Sequence, residues 1–268
     1  MKIPLFGLDK KKSGDKELPG QFQEEYRPDL IRRAVHVLQT AARQPYGSHP
    51  DAGKRHSSRL SKRRKNYRGC YGLGISRVNR KIHTRRGTRF FWVAAFSPQT
   101  VGGRRAHPPK SQKVWDIKIN KKENQKAIRS AMAATLQREL VAHRGHYLPA
   151  EYPFIIDSKF EKLDKTKDVE AALLQLGLDK ELERSAVKKV RAGIGKRRGR
   201  KYQRKKGLLI VVGEDCPLLR SAQNIPGIDI VPVKGLDAEL LAPGSLPGRV
   251  TLWTEKAVDI ITKENLFT

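Results

Sequence analysis

Lysine and arginine are the residues this chain arranges for chemistry, and the chemistry they offer is neutralisation of a polyanion. Residues Arg43 to Lys110 hold 18 Lys or Arg and a single acid, Asp51, while Lys188 to Lys206 hold 11 and no acid. The two stretches carry +28 of the formal +29, and the remaining residues set 27 bases against 26 acids. A near-neutral body with two polycationic extensions points to nucleic acid. In the first stretch Arg43, Lys54, Arg55, Arg59, Lys62, Arg63, Arg64, Lys65, Arg68, Arg85, Arg86, Arg104, Arg105 and Lys110 are candidates for phosphate contacts that release counterions. Tyr46, Tyr67 and Tyr71 lie among them and suit stacking on unpaired bases, which favours RNA. Gly69, Gly72 and Gly74 let backbone come close to a crowded polyanion. In the second stretch the candidates are Arg191, Lys196, Arg197, Arg198, Arg200, Lys201, Tyr202 and Arg204.

Other chemistries find less support. Ala192-Gly-Ile-Gly-Lys196 suggests a phosphate loop, but the required first glycine is Val190, Lys196 is followed by Arg197, and the segment lies between a helix and a strand in the wrong order. Gly213 after an apolar run is weak evidence for a dinucleotide fold. His143 and His146 stand three apart at a predicted helix end, where protonated side chains favour the C-terminus; no carboxylate or thiol cluster completes a metal site. His49, His56, His83 and His107 are scattered through the basic loop and are expected to be RNA contacts or spacers. Cys70 and Cys216 form no CxxC, so neither a disulfide framework nor a four-cysteine zinc site is expected. With acids nearly absent from both basic stretches, no catalysis and no cofactor is expected. The opening MKIPLFGLDKKK has its apolar patch before its charges, the reverse of a secretory signal, and no apolar run reaches the ~18–20 residues of a membrane span, so a cytoplasmic chain is expected. Eight glycines between Gly47 and Gly103 argue against an amphipathic helix on a membrane surface.

The elements that must position these residues follow from periodicity. Leu30, Ile31, Ala34, Val35, Leu38 and Ala41 form an apolar stripe at helical spacing, with Asp29 as the expected cap and Gln44-Pro45-Tyr46-Gly47 as the stop. A second helix is predicted from Asn120, with Glu123 completing a capping box, through to Gly145. Phe154-Ile155-Ile156 predicts a buried strand, followed by helices over Lys167–Leu176, stopped by Gly177, and Lys180–Val190. Strands are predicted at Leu208–Val212, Ile228–Val231 and Val250–Trp253, with Asp215 and Pro217 starting a helix between the first two. Thr254 caps a last helix through Ile261. Alternating strands and helices predict a single layered α/β domain with a mostly parallel sheet flanked by helices, plus a long basic extended loop. The globular part is assigned to residues 1–44 and 112–268, the inserted basic loop to 45–111, and a second basic RNA-binding segment to 188–207. A loop beyond ~12–15 residues is usually functional or disordered. Self-repulsion should leave this one extended and mobile until phosphates neutralise it. Phe90-Phe91-Trp92-Val93 within it fits either a strand returning to the body or a wedge between RNA helices.

Several segments, in order and spacing, resemble the universal L-four family of large-subunit ribosomal proteins in its archaeal/eukaryotic branch. They are Arg27-Pro-Asp-Leu-Ile-Arg-Arg-Ala-Val35, Arg43-Gln-Pro-Tyr-Gly47, Gly102-Gly-Arg-Arg-Ala-His-Pro-Pro-Lys110, Arg129-Ser-Ala-Met-Ala-Ala134, Arg191–Lys206, Asn224-Ile-Pro-Gly227, Leu241-Ala-Pro-Gly244 and Gly248-Arg-Val-Thr-Leu-Trp-Thr-Glu255. The resemblance implies a globular domain on the outside of the large subunit and a loop threading into large-subunit ribosomal RNA. It implies neighbouring ribosomal proteins as partners, a place in the cytoplasm, and no homo-oligomer. It further implies a loop tip, mapped to Gly69–Arg80, that approaches nascent peptide in the exit tunnel through Arg77, Val78, Asn79 and Arg80. Lys81 to Val101 is longer and more aromatic than is usual in the family, and the C-terminal extension of eukaryotic members has no counterpart here. A regulatory RNA-binding protein acting outside the ribosome is the alternative reading.

Overall fold

The computed structural model describes residues 1–268 apart from positions 57, 59 and 61. The chain divides into two units: a body of Met1–Ala42 with Asp116–Thr268, and a basic unit of Arg43–Trp115. Along the chain run β1 (Lys2–Phe6), β2 (Lys12–Glu17) and α1 (Pro28–Ala41), then β3 (Arg80–Arg86) and β4 (Arg89–Ala94) in the basic unit. The body resumes with α2 (Lys121–Leu136), α3 (Arg138–His143), β5 (Ile155–Ile156), α4 (Thr166–Gln175) and α5 (Asp179–Ala186). It continues through β6 (Lys189–Val190), β7 (Tyr202–Gln203), β8 (Leu209–Val212), α6 (Leu218–Ser221), β9 (Asp229–Pro232), α7 (Ala238–Leu241), β10 (Thr251–Thr254) and α8 (Glu255–Lys263).

The body is an α/β domain around a six-stranded sheet of order β2-β1-β5-β10-β8-β9. Only the β1–β2 pair is antiparallel. Successive strand residues face opposite sides. Ile155, Leu209, Val211 and Trp253 therefore meet Ile31 and Val35 of α1, Ala131 and Met132 of α2, and Val258 and Ile261 of α8. Ile156, Ile210, Val212 and Leu252 meet Val169 and Leu173 of α4 and Leu218 of α6 on the other face. Covering both faces explains why these strands read as continuous apolar runs. Trp253, 1% exposed, sits edge-on to Phe22 with ring centroids 4.9 Å apart, an arrangement worth ~0.5–1.5 kcal/mol beyond the area buried.

The four strands expected from apolar runs are present, as are α4 with Gly177 at φ +82° behind it, and α8 capped by Thr254, whose hydroxyl accepts from Ala257 N. Other expectations are corrected. Asp29 is not the cap of α1: Arg27 holds that position, Pro28 starts the helix, and Asp29 in the first turn takes two hydrogen bonds from Arg27 at 3.0 and 2.8 Å. Ala41 is exposed, and Thr40 is buried with its hydroxyl bonded to the carbonyls of His36 and Val37. The helix expected to run from Asn120 to Gly145 breaks at Gln137 (φ −82°, ψ 103°), and Asn120 makes no side-chain cap. Tyr152 Oη donates to the carbonyl of Thr135, which in an unbroken helix would accept from residue 139. Asp215 lies two residues before Pro217, the cap position of α6, and makes no cap bond. The N-terminal hairpin β1–β2 has no counterpart among the elements expected from periodicity.

The helix expected to reach Val190 ends at Ala186, and Lys189–Val190 is instead β6, paired with β7 in the register Lys189↔Gln203 and Val190↔Tyr202. Continuing the helix would align like charges at i,i+3 and i,i+4 spacing. Gly193 (φ +76°) and Gly199 (φ +78°) supply the reversals the hairpin needs instead.

The basic unit is not extended throughout. Residues 80–94 form an antiparallel hairpin from Arg80↔Ala94 to Arg86↔Arg89, turning at Gly87 (φ +56°). Phe90-Phe91-Trp92-Val93 is thus a strand, but it pairs with β3 inside its own unit and not with the body's sheet. Close packing elsewhere in the unit requires glycine: a Cβ on Gly47 would lie 2.3 Å from Ser111 N, and one on Gly103 would lie 2.0 Å from Ser97 O.

Candidate nucleic-acid interface

Among the described residues, the candidate bases have no acid partner. All those described in the first stretch are exposed except half-buried Arg104, and all in the second are exposed except half-buried Arg191. Arg59 lies outside the described residues. Among the described residues, no Lys or Arg from Arg43 to Lys113 makes an ion pair; in the second stretch only Lys206 does, with Asp229 at 2.9 Å. Several cations of the body are paired, as Arg129 with Glu24 at 2.8 Å and Arg33 with Glu123 at 2.6 Å. Sequence segregates the charge, and folding leaves it uncompensated on these two segments.

Aromatic rings are interleaved with that charge. Arg68 lies 5.5 Å over Tyr67, Arg77 5.4 Å over Tyr71, Arg85 5.5 Å over Phe90 and Arg89 5.1 Å over Phe91. Tyr67 meets Phe90 edge-on at 5.7 Å. On the second segment Lys188 lies 3.7 Å and Lys201 5.4 Å from the Tyr202 ring. Tyr46 stacks on Trp115, with Arg43 at 4.5 Å and Lys113 at 4.2 Å from the indole. Trp115 and Lys113 fall beyond the loop end drawn at residue 111; the signal for them was a base and an indole just past the last Lys of the run.

Arg77, Val78, Asn79 and Arg80 gather where the β3–β4 hairpin begins, away from its turn at Gly87. Arg77 is exposed and donates to Tyr71 Oη at 3.2 Å; Val78 N donates to Ser76 O. Asn79 O accepts from Ala95 N at 2.8 Å, and Arg80 donates to Ser76 O at 3.1 Å and to Ser76 Oγ at 2.6 Å.

The second segment is tied at its C-terminal end by one buried and one half-buried cation that periodicity does not reveal. Arg249, 0% exposed, donates to the carbonyls of Gly207 (2.8 Å), Leu240 (2.9 Å) and Leu208 (3.3 Å), and to Asp229 Oδ2 (2.6 Å). Arg184 reaches Lys206 O at 2.8 Å and Glu181 Oε2 at 2.8 Å. His146 is part of this group and not a solvated helix-end cation: it is buried, with Nδ1 2.7 Å from Glu181 Oε1. Burial pulls its pKa below the ordinary value, assisted by Arg184 and Arg144 and opposed by Glu181. Burial pushes the Glu181 carboxyl up, but hydrogen bonds from Arg184, His146 and Tyr147 N outweigh it and hold the pKa at about 2. Burial lowers Arg144 to about 10, with Arg249 and Arg184 adding to the shift. His143 is exposed in the last turn of α3.

Gly213, at the end of β8, has a packing role. Its N–H donates to buried Glu161 at 3.0 Å, which also accepts from Thr254 Oγ1 at 2.6 Å, so the amide a phosphate would need is engaged. A Cβ there would stand 3.0 Å from both Ile260 Cδ1 and Lys256 Cβ. Among the described residues, no group of three or more His, Cys, Asp or Glu is placed to hold a metal ion, and no helix is long and apolar enough to cross a membrane.

Fold and charge together define a class: a layered, mostly parallel α/β domain carrying polycationic segments of which, among the described residues, only Lys206 pairs with an acid. The chain belongs to the Ribosomal protein L4/L1 family, whose profile matches residues 16–264. It is 49% identical over 268 residues to the large ribosomal subunit protein uL4 of Nanoarchaeum equitans, covering 100% of both chains. It is 44% identical over 262 residues to the uL4 protein of Archaeoglobus fulgidus, covering 97% of this chain and 98% of that one. Over 261 residues it is 44% identical to the uL4 protein of Methanocaldococcus jannaschii, covering 97% of each.

Proposed function

We propose that this chain is a structural constituent of the cytoplasmic large ribosomal subunit, where it binds large-subunit ribosomal RNA and supports its folding. The basic unit and the Lys188–Lys206 segment are the RNA-binding parts. The observation that carries this reading is the run of exposed cations without acid partners on both segments, in a chain similar over its full length to proteins named for that subunit. Phosphates on neighbouring RNA helices repel, and screening over ~8 Å at physiological salt is incomplete at helix-packing distances. Fixed cations entering between the helices displace diffuse counterions and relieve that repulsion. The basic unit lines part of the nascent-peptide exit tunnel through Arg77, Val78, Asn79 and Arg80, and neighbouring large-subunit proteins complete its surroundings. The chain acts as a scaffold and turns over no substrate. Crosslinking in cell lysate, with sequencing of attached RNA and mapping of crosslinked peptides, tests this. Crosslinks to large-subunit ribosomal RNA through both 43–110 and 188–206 are expected. Crosslinks spread over unrelated transcripts would replace the reading with a regulatory role outside the ribosome.

A further inference from the structure

We propose that the neck of the basic unit is a stacking site for one unpaired nucleotide of the bound RNA, built on Tyr46 and Trp115. The inference rests on the RNA-binding reading above and adds a defined subsite to it. The two ends of the segment are held together here by the Ser48 N to Pro109 O bond of 3.0 Å and by the close approach of Gly47 to Ser111. They enclose a groove of about 550 Å³ lined by Tyr46, Arg105, His107, Lys110, Lys113 and Trp115. That volume is ample for a base with its sugar.

Three features suit a nucleotide over other ligands. Tyr46 stacks on Trp115 with centroids 5.7 Å apart and planes at 21°, yet remains 55% exposed, so a third ring can extend the stack. Arg43 and Lys113 stand against the indole at 4.5 and 4.2 Å, with Arg105 and Lys110 on the groove wall, and no acid lines it; this is the charge a flanking phosphate requires. Trp115 Nε1 is buried and has no hydrogen-bond partner among the described residues. A buried indole N–H normally finds an acceptor, and base carbonyls, ring nitrogens and ribose or phosphate oxygens can all supply one once binding opens a path to the shielded atom.

The test uses the full chain and an in vitro transcript of the large-subunit ribosomal RNA, with transfer RNA as competitor. Ultraviolet crosslinking is expected to join one nucleotide to the peptide containing Tyr46. Tyr46→Ala should abolish that crosslink and weaken binding roughly tenfold, about 1.4 kcal/mol, with the salt slope unchanged, because stacking releases no counterion. Tyr46→Phe should keep both crosslink and affinity, and Trp115→Phe, which keeps a ring but removes the donor, should weaken binding by roughly threefold to tenfold. A Tyr46→Ala protein within about twofold of wild type, or one whose salt slope falls with its affinity, would overturn the stacking site while leaving RNA binding intact. Failure of the wild-type chain to prefer ribosomal over transfer RNA would overturn the underlying reading as well.

Discussion

Replacing Arg249 with methionine should destabilise the body more than any surface substitution, because it removes a fully buried cation whose partners stay behind. The side chain donates to three backbone carbonyls and to Asp229. Leu208 O keeps a partner in Asp229 N at 3.0 Å, and Asp229 keeps Lys206 at 2.9 Å. Gly207 O and Leu240 O lose the donor that Arg249 supplied. An unsatisfied buried polar group costs about 1–3 kcal/mol, and breaking a buried ion pair from one side costs about 3–5 kcal/mol. Methionine fills much of the volume, so little cavity cost is added. The expected loss is therefore about 3–5 kcal/mol. Urea unfolding followed by circular dichroism would show it as a midpoint lowered by roughly 1–2.5 M, for a slope near 2–3 kcal/mol/M. If the carboxylate left with Lys206 alone carries much of the cost, Asp229→Asn in the same chain should be less harmful than it is alone. A loss below about 1 kcal/mol at unchanged slope would refute the assignment of Arg249 as the tie between Gly207 and the sheet.

Changing Arg197, Arg198 and Arg200 together to alanine should reduce the slope of log K against log salt by roughly 0.7–0.9 for each phosphate no longer neutralised; an unchanged slope in filter binding would remove them from the interface. Glu181, whose pKa is held at about 2 against an ordinary 4.5, contributes stability that is present above about pH 4.5 and lost as pH falls toward 2, about 3 kcal/mol in all. His146, lowered from 6.5, adds loss in the same direction below that pH, because the unfolded chain accepts a proton the folded one refuses. Thermal melts from pH 7 to 3 should therefore fall monotonically, and Tm independent of pH over that range would contradict both shifts. Deleting Asn66 to Thr100 removes the β3–β4 hairpin but no residue of either apolar core of the body, so cooperative unfolding of the body should survive; its loss in calorimetry would show that the basic unit stabilises the body.

Patterns that act locally were legible in the sequence. Charge needs no partner to be counted, so both polycationic segments could be read directly, as could β8, β10 and most of the α1 stripe, whose periodicity reports the face each residue buries. Thr254 was legible because its cap bond to Ala257 spans only three residues. What the sequence left open depends on partners far along the chain. The break at Gln137 follows from Tyr152 taking the carbonyl of Thr135, and Tyr46 meets Trp115 only because the ends of the basic segment converge. β1 and β2 acquire their meaning from β5, more than a hundred residues on, against which Leu5 and Phe6 pair. Arg249 sits in the run Leu246-Pro-Gly-Arg-Val-Thr-Leu252, where a lone charged side chain gives no local sign it will be buried; Asp229 and three distant carbonyls make that burial tolerable. Composition and period thus determined where charge and apolar faces lie, whereas tertiary contact alone decided which polar groups are satisfied inside, because hydrogen-bond partners across long sequence separations leave no periodic trace.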